Sequence, residues 1–320
     1  MPAVSVIIVS WNPGDHLFRC LEPLVSSSRE IVVVDNASAD GTADRVASRF
    51  PGVILIRARL NLGFPGAVNL ASRRASGEYL LLLGSDVAVS AGTVDALAAF
   101  LEANPRCGAV TARPHGVDGP TGWGPNLRRF PTFMSVAVDL LLVDRLWPRN
   151  PFSRRYLALD VSCSRGEVLD VEQPAAACLM LRRSAFEAAG RMDEAFYPAW
   201  FDDVDLCRRL RSGGWRISML CSALFSRTPG VARRQLGRDT FTRIWYRNLQ
   251  RYVRKHHGLA GLAVVKALIV AGMMERILIC ILRNDGAGLG AYRRVLFDTF
   301  RPAGFTRLMD QLAAEPGEHV

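Results

Sequence analysis

The sequence predicts an α/β protein built on a mainly parallel sheet with helices on both faces. Three observations predict it. Short β-rich apolar runs alternate with longer helical stretches from residue 3 to about 112, the runs end in polar or acidic residues, and everything after Thr240 reads as helix.

The first run, residues 4–9, follows no basic residue and stops at Trp11-Asn12-Pro13-Gly14. That pattern is expected of a first strand rather than a secretory leader, which places the catalytic part in the cytoplasm. Further strands are expected at 30–34, 53–56, 79–83 and 109–111, with helices near 15–25, 41–50, 66–75 and 91–101. In such a βαβ series ligands gather at the carboxyl ends of the strands. Those ends carry Ser10-Trp11-Asn12, Asp35-Asn36, Asn61 and Ser85-Asp86.

Residues 114–170 are rich in Pro, Gly and Arg and read as an insertion able to shape an acceptor pocket. Regularity returns with a buried strand at 175–181, a helix after Asp205 and a strand at 216–220. A length of 320 residues with 49% hydrophobic content suits one nucleotide-binding core with an elaborated second half. The boundaries expected are a catalytic domain over 1–235, divided at 112, and a helical basic segment over 236–320.

Seven cysteines are an odd number and include no CxxC pair, so they are expected to be reduced, buried thiols rather than a disulfide framework or a zinc site. Of the net charge of +10, almost all lies in the C-terminal part: residues 227–320 hold 16 basic against 7 acidic residues. With residues 259–282 interrupted only by Lys266, Glu275 and Arg276, that segment is expected to be a membrane span, a helix in the membrane interface, or a docked core or dimer helix. An anionic membrane surface suits it better than nucleic acid.

Neither GxGxxG after a strand nor GxxxxGK[ST] occurs, which excludes the usual dinucleotide and P-loop devices. Asp35 closes a strand of β-branched residues and is placed to accept hydrogen bonds from a nucleobase or ribose, or else to make a turn with Asn36 while Asp40 caps the next helix. Asp86 ends a long apolar strand and is a candidate ligand for a cation bridging two phosphates, or a turn residue. In Phe201-Asp202-Asp203-Val204-Asp205 three carboxylates crowd one helix start and raise one another's pKa, which suits proton acceptance near neutral pH. Asp205 reads as a partner for the helix dipole, whereas Asp202 and Asp203, beside Trp200 and Phe201, read as functional.

Six ordered blocks resemble the family 2 glycosyltransferases, and more narrowly their rhamnosyltransferase-type members. They are residues 4–12, residues 33–42, Asn61-Leu62-Gly63-Phe64, the Asp86 strand, Arg128-Arg129-Phe130-Pro131-Thr132, and residues 200–210 with Gly214-Trp215-Arg216-Ile217. Arg247-Asn248 and Arg254-Lys255-His256-His257-Gly258 extend the resemblance to residue 258. It implies a GT-A fold and inverting transfer of a sugar from a nucleotide-diphosphate donor to a hydroxyl of a glycan or lipid-linked glycan precursor. By that resemblance Ser10, Asp35 and Asn61 line the nucleotide pocket and Asp86 holds Mg2+ or Mn2+. Asp203 is then the general base, and Asp202 stands where the family usually has Glu and positions the acceptor.

Two departures bear on the cation. Gly84-Ser85-Asp86 replaces the usual Asn-Pro-Asp, and Ser226-Arg227-Thr228-Pro229-Gly230 replaces a segment that often carries a histidine. Arg227 is accordingly a candidate to lend positive charge to the leaving diphosphate, supplementing or replacing the cation, or else an ordinary exposed loop arginine. The expected donor is dTDP-activated rhamnose, the expected place the inner face of the cell membrane. The contrasting expectation, prompted by the altered motif, is a non-catalytic nucleotide-sugar-binding protein.

Overall fold

A computed structural model of the protein describes residues 3–26, 29–115, 126–164, 166–228 and 231–300, without the side chains of 231–234. Part of the insertion, residues Pro229 and Gly230 of the Arg227 segment, and the stretch 301–320 of the expected C-terminal segment lie outside the described residues.

The first half runs β1 (Val4–Ser10), α1 (His16–Val25), β2 (Glu30–Asp35), α2 (Thr42–Arg49), β3 (Ile54–Arg57), α3 (Gly63–Arg74), β4 (Tyr79–Gly84), β5 (Val87–Val89), α4 (Thr93–Ala103) and β6 (Cys107–Pro114). The second half runs β7 (Leu127–Arg128), α5 (Phe133–Leu140), α6 (Val143–Leu146), α7 (Pro151–Tyr156), β8 (Val168–Asp170), β9 (Gln173–Pro174), β10 (Cys178–Arg182), α8 (Arg183–Ala188), α9 (Asp202–Ser212), β11 (Arg216–Arg227), α10 (Val231–Leu282) and α11 (Gly286–Phe300).

Among the described residues nine strands form one sheet in the order β3-β2-β1-β4-β10-β6-β11-β5, with β8 against β11, and β7 pairs antiparallel with β9 in a separate two-stranded sheet. β1 to β4 are mutually parallel, β10 is antiparallel to both its neighbours, and β11 returns parallel to β6. The period of two in the apolar runs builds both faces: Val6, Ile8, Val33, Leu81 and Leu83 pack under α1 and α4, while Ile7, Val32, Val34, Leu80 and Leu82 pack on the opposite side with α3 and α9. Burying each such side chain contributes about 1.5–3 kcal/mol.

β11 is much longer than the strand expected at 216–220. Its pairing with β6 shifts between Leu220 and Leu224, and that irregularity lets the chain continue to Arg227 and pair with the unforeseen β5. The thiol expectation is corrected: Cys163 and Cys221 form a disulfide with Cα atoms 5.8 Å apart, tying the end of the insertion to β11. The other five cysteines are buried thiols.

α10 is broken at Gly237 and Gly258, both in the left-handed region, so it consists of helices over 231–236, 238–257 and 259–282. The last of these docks on the body: Val265, Ile269 and Met273 are buried with Leu140 of α5 and Val295 of α11. No helix among the described residues is long and apolar enough to cross a membrane.

Candidate active site

At the carboxyl ends of β1 and β4, where the strand order reverses, lies a cavity of 290 Å³. It brings together Asn61, Asp86, the adjacent Asp202 and Asp203, and Arg227 from four separate parts of the chain. Ser10 and Asp35 are not in its lining, although their neighbours Val9, Trp11 and Asn36 are. They sit opposite each other in the β1–β2 register, both buried.

Around that pair the loops after β1 and β2 brace each other. Asn12 N donates to Ser38 Oγ at 2.9 Å, Ala39 N to Asn12 Oδ1 at 2.8 Å, and Gly14 N to Asp40 Oδ2 at 3.0 Å. Asp40 Oδ1 also accepts from Thr42 N at 3.0 Å, although the cap position of α2 is Gly41 rather than the Asp40 expected there. Asp35 Oδ2 accepts from Ser38 N at 3.3 Å, while burial pushes its carboxyl up. Among the described residues Ser10 Oγ, Trp11 Nε1 and Asp35 Oδ1 are buried with no hydrogen-bond partner. Three orphaned polar atoms at two adjacent strand ends are costly without a ligand that satisfies them.

Asn61 acts largely on the backbone. Its Oδ1 accepts from Gly63 N and from Asn36 Nδ2, both at 2.8 Å, and Asn36 Oδ1 accepts from Leu62 N at 2.8 Å. Gly63 at φ +69° leaves no room for a side chain, since a Cβ would lie 2.7 Å from Tyr197 Cδ2 and 2.8 Å from Pro198 O. Phe64 N donates to Pro198 O at 2.6 Å, so the Asn61-Leu62-Gly63-Phe64 block clamps the loop leading to the acidic pair.

Asp86 follows β4 closely, and a Cβ at Gly84 would meet its Oδ1 at 2.6 Å. Its Oδ2 lies 3.1 Å from Arg227 Nε, the β5–β11 pairing having carried the arginine there from 141 residues away. Among the described residues no group of three His, Cys, Asp or Glu side chains is disposed to hold a metal. Asp86 offers one carboxylate, which fits a cation that draws most of its oxygen ligands from substrate phosphates and water.

Asp202 and Asp203 open α9 immediately after Trp200 and Phe201, whose φ values of 69° and 66° are left-handed. Such a pair of bulky residues is held only by its surroundings, at a cost of about 1–3 kcal/mol each. α10 supplies the hold. Buried Asn248 donates through Nδ2 to Phe196 O at 3.1 Å, Ala199 O at 2.8 Å and Trp200 O at 3.1 Å. Phe241 meets Trp200 edge-on at 4.8 Å, and Trp245 meets Phe201 at 5.5 Å between ring centres.

Burial, and then the neighbouring Asp203 charge, raise the Asp202 carboxyl well above the usual range. Burial also raises Asp203, against hydrogen bonds from Ala176 N at 3.3 Å and Val204 N at 2.8 Å and the attraction of Arg128. Asp205 behaves oppositely. Although burial pushes it up, its hydrogen bond with His256 and the charges of Arg209 and Lys255 leave it below the usual range. Its contacts with Arg209 Nε, Lys255 Nζ and His256 Nε2 are all 2.8 Å, so it ties α9 to α10 rather than only facing a helix dipole.

The site also contains residues that the sequence reading did not single out. Trp11 and Asn36 were named at the strand ends beside Ser10 and Asp35 but given no role in the pocket. Gln235 and Leu236 close the cavity from the start of α10, with Gln235 Nε2 donating to Trp11 O at 3.1 Å and Asn12 O at 2.6 Å. Beyond Trp200 and Phe241 lies a second cavity of 600 Å³ between the insertion helices and α10–α11, lined by Arg128, Tyr156, Trp245, Arg276 and Tyr292 among others.

Comparisons with known proteins agree with this arrangement. Residues 5–165 match the model of Glycosyl transferase family 2. The chain is 31% identical over 231 residues to the N-acetylglucosaminyl-diphospho-decaprenol L-rhamnosyltransferase of Mycobacterium tuberculosis, covering 66% of this chain and 71% of that one. It is 32% identical over 90 residues to the UDP-Glc:alpha-D-GlcNAc-diphosphoundecaprenol beta-1,3-glucosyltransferase WfaP of Escherichia coli, covering 27% and 36%. Among solved structures, GalNAc-T7 with UDP, GalNAc and Mn2+ superposes with a TM-score of 0.55 at 14% identity, over 81% of this chain and 51% of that one. The mannosyltransferase PcManGT of Pyrobaculum calidifontis, in complex with GDP-Man and Mn2+, superposes with a TM-score of 0.50 at 17% identity, over 97% and 87%. With its GT-A fold, its acidic pair and these relatives, the chain belongs to glycosyltransferase family 2 and is a glycosyltransferase.

Proposed function

We propose that the enzyme performs an inverting transfer of a deoxyhexose, rhamnose from its dTDP-activated form, to a hydroxyl of a lipid-linked glycan precursor at the inner face of the cell membrane. The observation that carries this reading is that Asp203 and the Asp86–Arg227 pair face one 290 Å³ cavity. A proton acceptor and a positive charge for a leaving diphosphate are what a single displacement at an anomeric carbon needs.

In that displacement the acceptor oxygen attacks the anomeric carbon from the face opposite the diphosphate. The new glycosidic bond forms as the bond from that carbon to the phosphate oxygen breaks, and the electron pair leaves on the nucleoside diphosphate. Asp203 takes the acceptor proton. Asp202, buried and with its carboxyl raised by burial and by Asp203, orients the acceptor, and Arg227 meets the charge gathering on the diphosphate. A Mg2+ or Mn2+ held by Asp86 would add further neutralisation of that charge. Ser10, Asp35 and the Trp11 ring nitrogen are suited to satisfy a nucleoside, and Asn61 keeps the floor of the pocket in shape. The acceptor comes over Trp200 from the side of the 600 Å³ cavity.

The rhamnosyl donor and the lipid-linked acceptor are suggested by the Mycobacterium relative, whose name states both a rhamnosyl group and a diphospho-decaprenol acceptor. The test is to incubate the purified enzyme with dTDP-rhamnose and a synthetic N-acetylglucosaminyl-diphosphoryl lipid and to read the anomeric configuration of the product by NMR. Inverted configuration supports the reading, retained configuration removes the mechanism, and turnover only with another nucleotide sugar replaces the donor.

A further inference from the structure

On another face of α10 lies a cavity of 540 Å³ that the transfer reaction does not use. Six basic side chains line it: Arg243, Arg247, Arg251, Arg254, Lys255 and Lys266. The carboxylates in its wall, Asp193 and Asp298, are already engaged, Asp193 with Lys255 at 2.7 Å and Asp298 with Arg243 at 2.6 Å. Among the described residues Arg251, Arg254 and Lys266 have no carboxylate within ion-pair distance.

Arg243, Arg247 and Arg251 recur every four residues, so they stack on one helix face, where like charges destabilise a helix. They are not splayed into solvent either, because Arg243, Arg247, Arg251 and Lys266 are all only partly exposed. Burial and then the charge of Arg251 lower the Arg247 guanidinium to about 10, and burial likewise lowers Arg251. Repulsion among partly desolvated cations is a standing cost that a bound polyanion relieves. The wall is not detached from the catalytic loop: Arg247 Nη1 donates to Tyr197 O at 3.3 Å, and the adjoining Asn248 holds residues 196–200. At its rim Lys266 Nζ lies 5.6 Å over the exposed Phe300 ring.

We propose that this cavity is a second anion site, separate from the donor pocket, that takes a phosphate or diphosphate ester. It lies one loop away from the catalytic cavity. Its cations suit the fork geometry of phosphate oxygens, and its apolar rim tolerates an attached hydrocarbon. The inference rests on this cavity alone and stands whichever sugar is transferred.

The test uses the full chain and inorganic diphosphate as probe, by isothermal titration in 150 mM salt. Saturable binding is expected in the parent and in Arg227→Ala, and at least a tenfold weaker affinity in the double variant Arg251→Gln/Arg254→Gln. Donor hydrolysis without acceptor is expected to stay as in the parent, and unliganded melting to stay level or rise, because the double variant relieves the repulsion on Arg247. Lys266→Gln, on a different helical segment, is expected to weaken binding on its own, which keeps the test decisive should the double variant fold poorly. Flotation with phosphatidylcholine vesicles containing phosphatidylglycerol separates the two sources of the ligand. Loss of flotation in the same variants identifies a lipid headgroup, and its absence throughout, with diphosphate still bound, identifies a soluble ester. No diphosphate binding by the parent, an unchanged affinity in both variants, or complete loss in Arg227→Ala overturns the proposal.

Discussion

Arg227 Nε stands 3.1 Å from Asp86 Oδ2, and both residues line the cavity that Asp203 also lines. The pair joins a strand end to the far end of β11, and on the proposed reading its guanidinium meets the departing diphosphate. Removing that charge should act on the transition state more than on donor binding. Arg227→Ala is therefore expected to lower kcat by about 10²–10³-fold, the range seen when one stabilising donor is removed. Steady-state kinetics with donor varied at saturating acceptor checks it; a change confined to KM refutes the role.

Asp203→Asn keeps the shape of the site and removes the proton acceptor. A loss of about 10²–10⁴-fold in kcat is expected. Because burial raises the Asp203 carboxyl, activity of the parent should fall with acidity through a midpoint above the ordinary 3.8. A pH profile of kcat/KM reads that limb, and in the variant it should be flat.

Asp202 is buried with no ion pair among the described residues, and its folded-state pKa is raised by burial and by Asp203. Between the ordinary 3.8 and that raised value the folded chain binds more protons than the unfolded one, so stability falls as pH rises through the window. Asp202→Asn should then raise the melting temperature at pH 7.5 by roughly 2–6 °C, at ~2–4 °C per kcal/mol. The gain should shrink as pH falls toward 3.8, and activity should drop while stability rises. Differential scanning calorimetry across pH tests the sign.

Asn248→Ala removes three carbonyl contacts from the loop that presents Trp200 and Phe201. A buried loss of this kind costs about 1–3 kcal/mol. Expected with it is a fall of at least tenfold in kcat with nucleotide affinity little changed, because the loops proposed to hold the nucleotide follow β1 and β2. Calorimetric nucleotide binding alongside turnover separates the two effects.

The oxidised protein should yield five titratable thiols when denatured and seven after reduction, out of seven cysteines. Closing a loop across 58 residues, the Cys163–Cys221 bond should stabilise by about 4 kcal/mol in the chain-entropy account. Melting with and without reductant measures it.

Much of the sheet was legible because β1, β2 and β4 are buried on both faces and read as unbroken apolar runs. Asp202 and Asp203 were legible because three carboxylates at one helix start are hard to explain by propensity. The Asp86–Arg227 contact depends on a shift in the β6–β11 register near Cys221 and Ala223, where no glycine or proline marks an irregularity. The disulfide was hidden by an odd cysteine count and a separation of 58 residues. Asp205 carries no local sign that its partners stand fifty residues on, at Lys255 and His256, since tertiary ion networks leave no periodic trace. Gln235 and Leu236 were lost for a similar reason, being ordinary residues at the start of a helix that folds back over the strand ends.

The amide of Asn248 has a further consequence for how the enzyme comes into being. On a ribosome the acidic pair emerges dozens of residues before the helix that fixes the backbone behind it. Until that helix has docked, Trp200 and Phe201 lack the contacts that hold them left-handed. A nascent chain therefore carries every reactive group of the site well before it can use them, and transfer competence arrives late in translation.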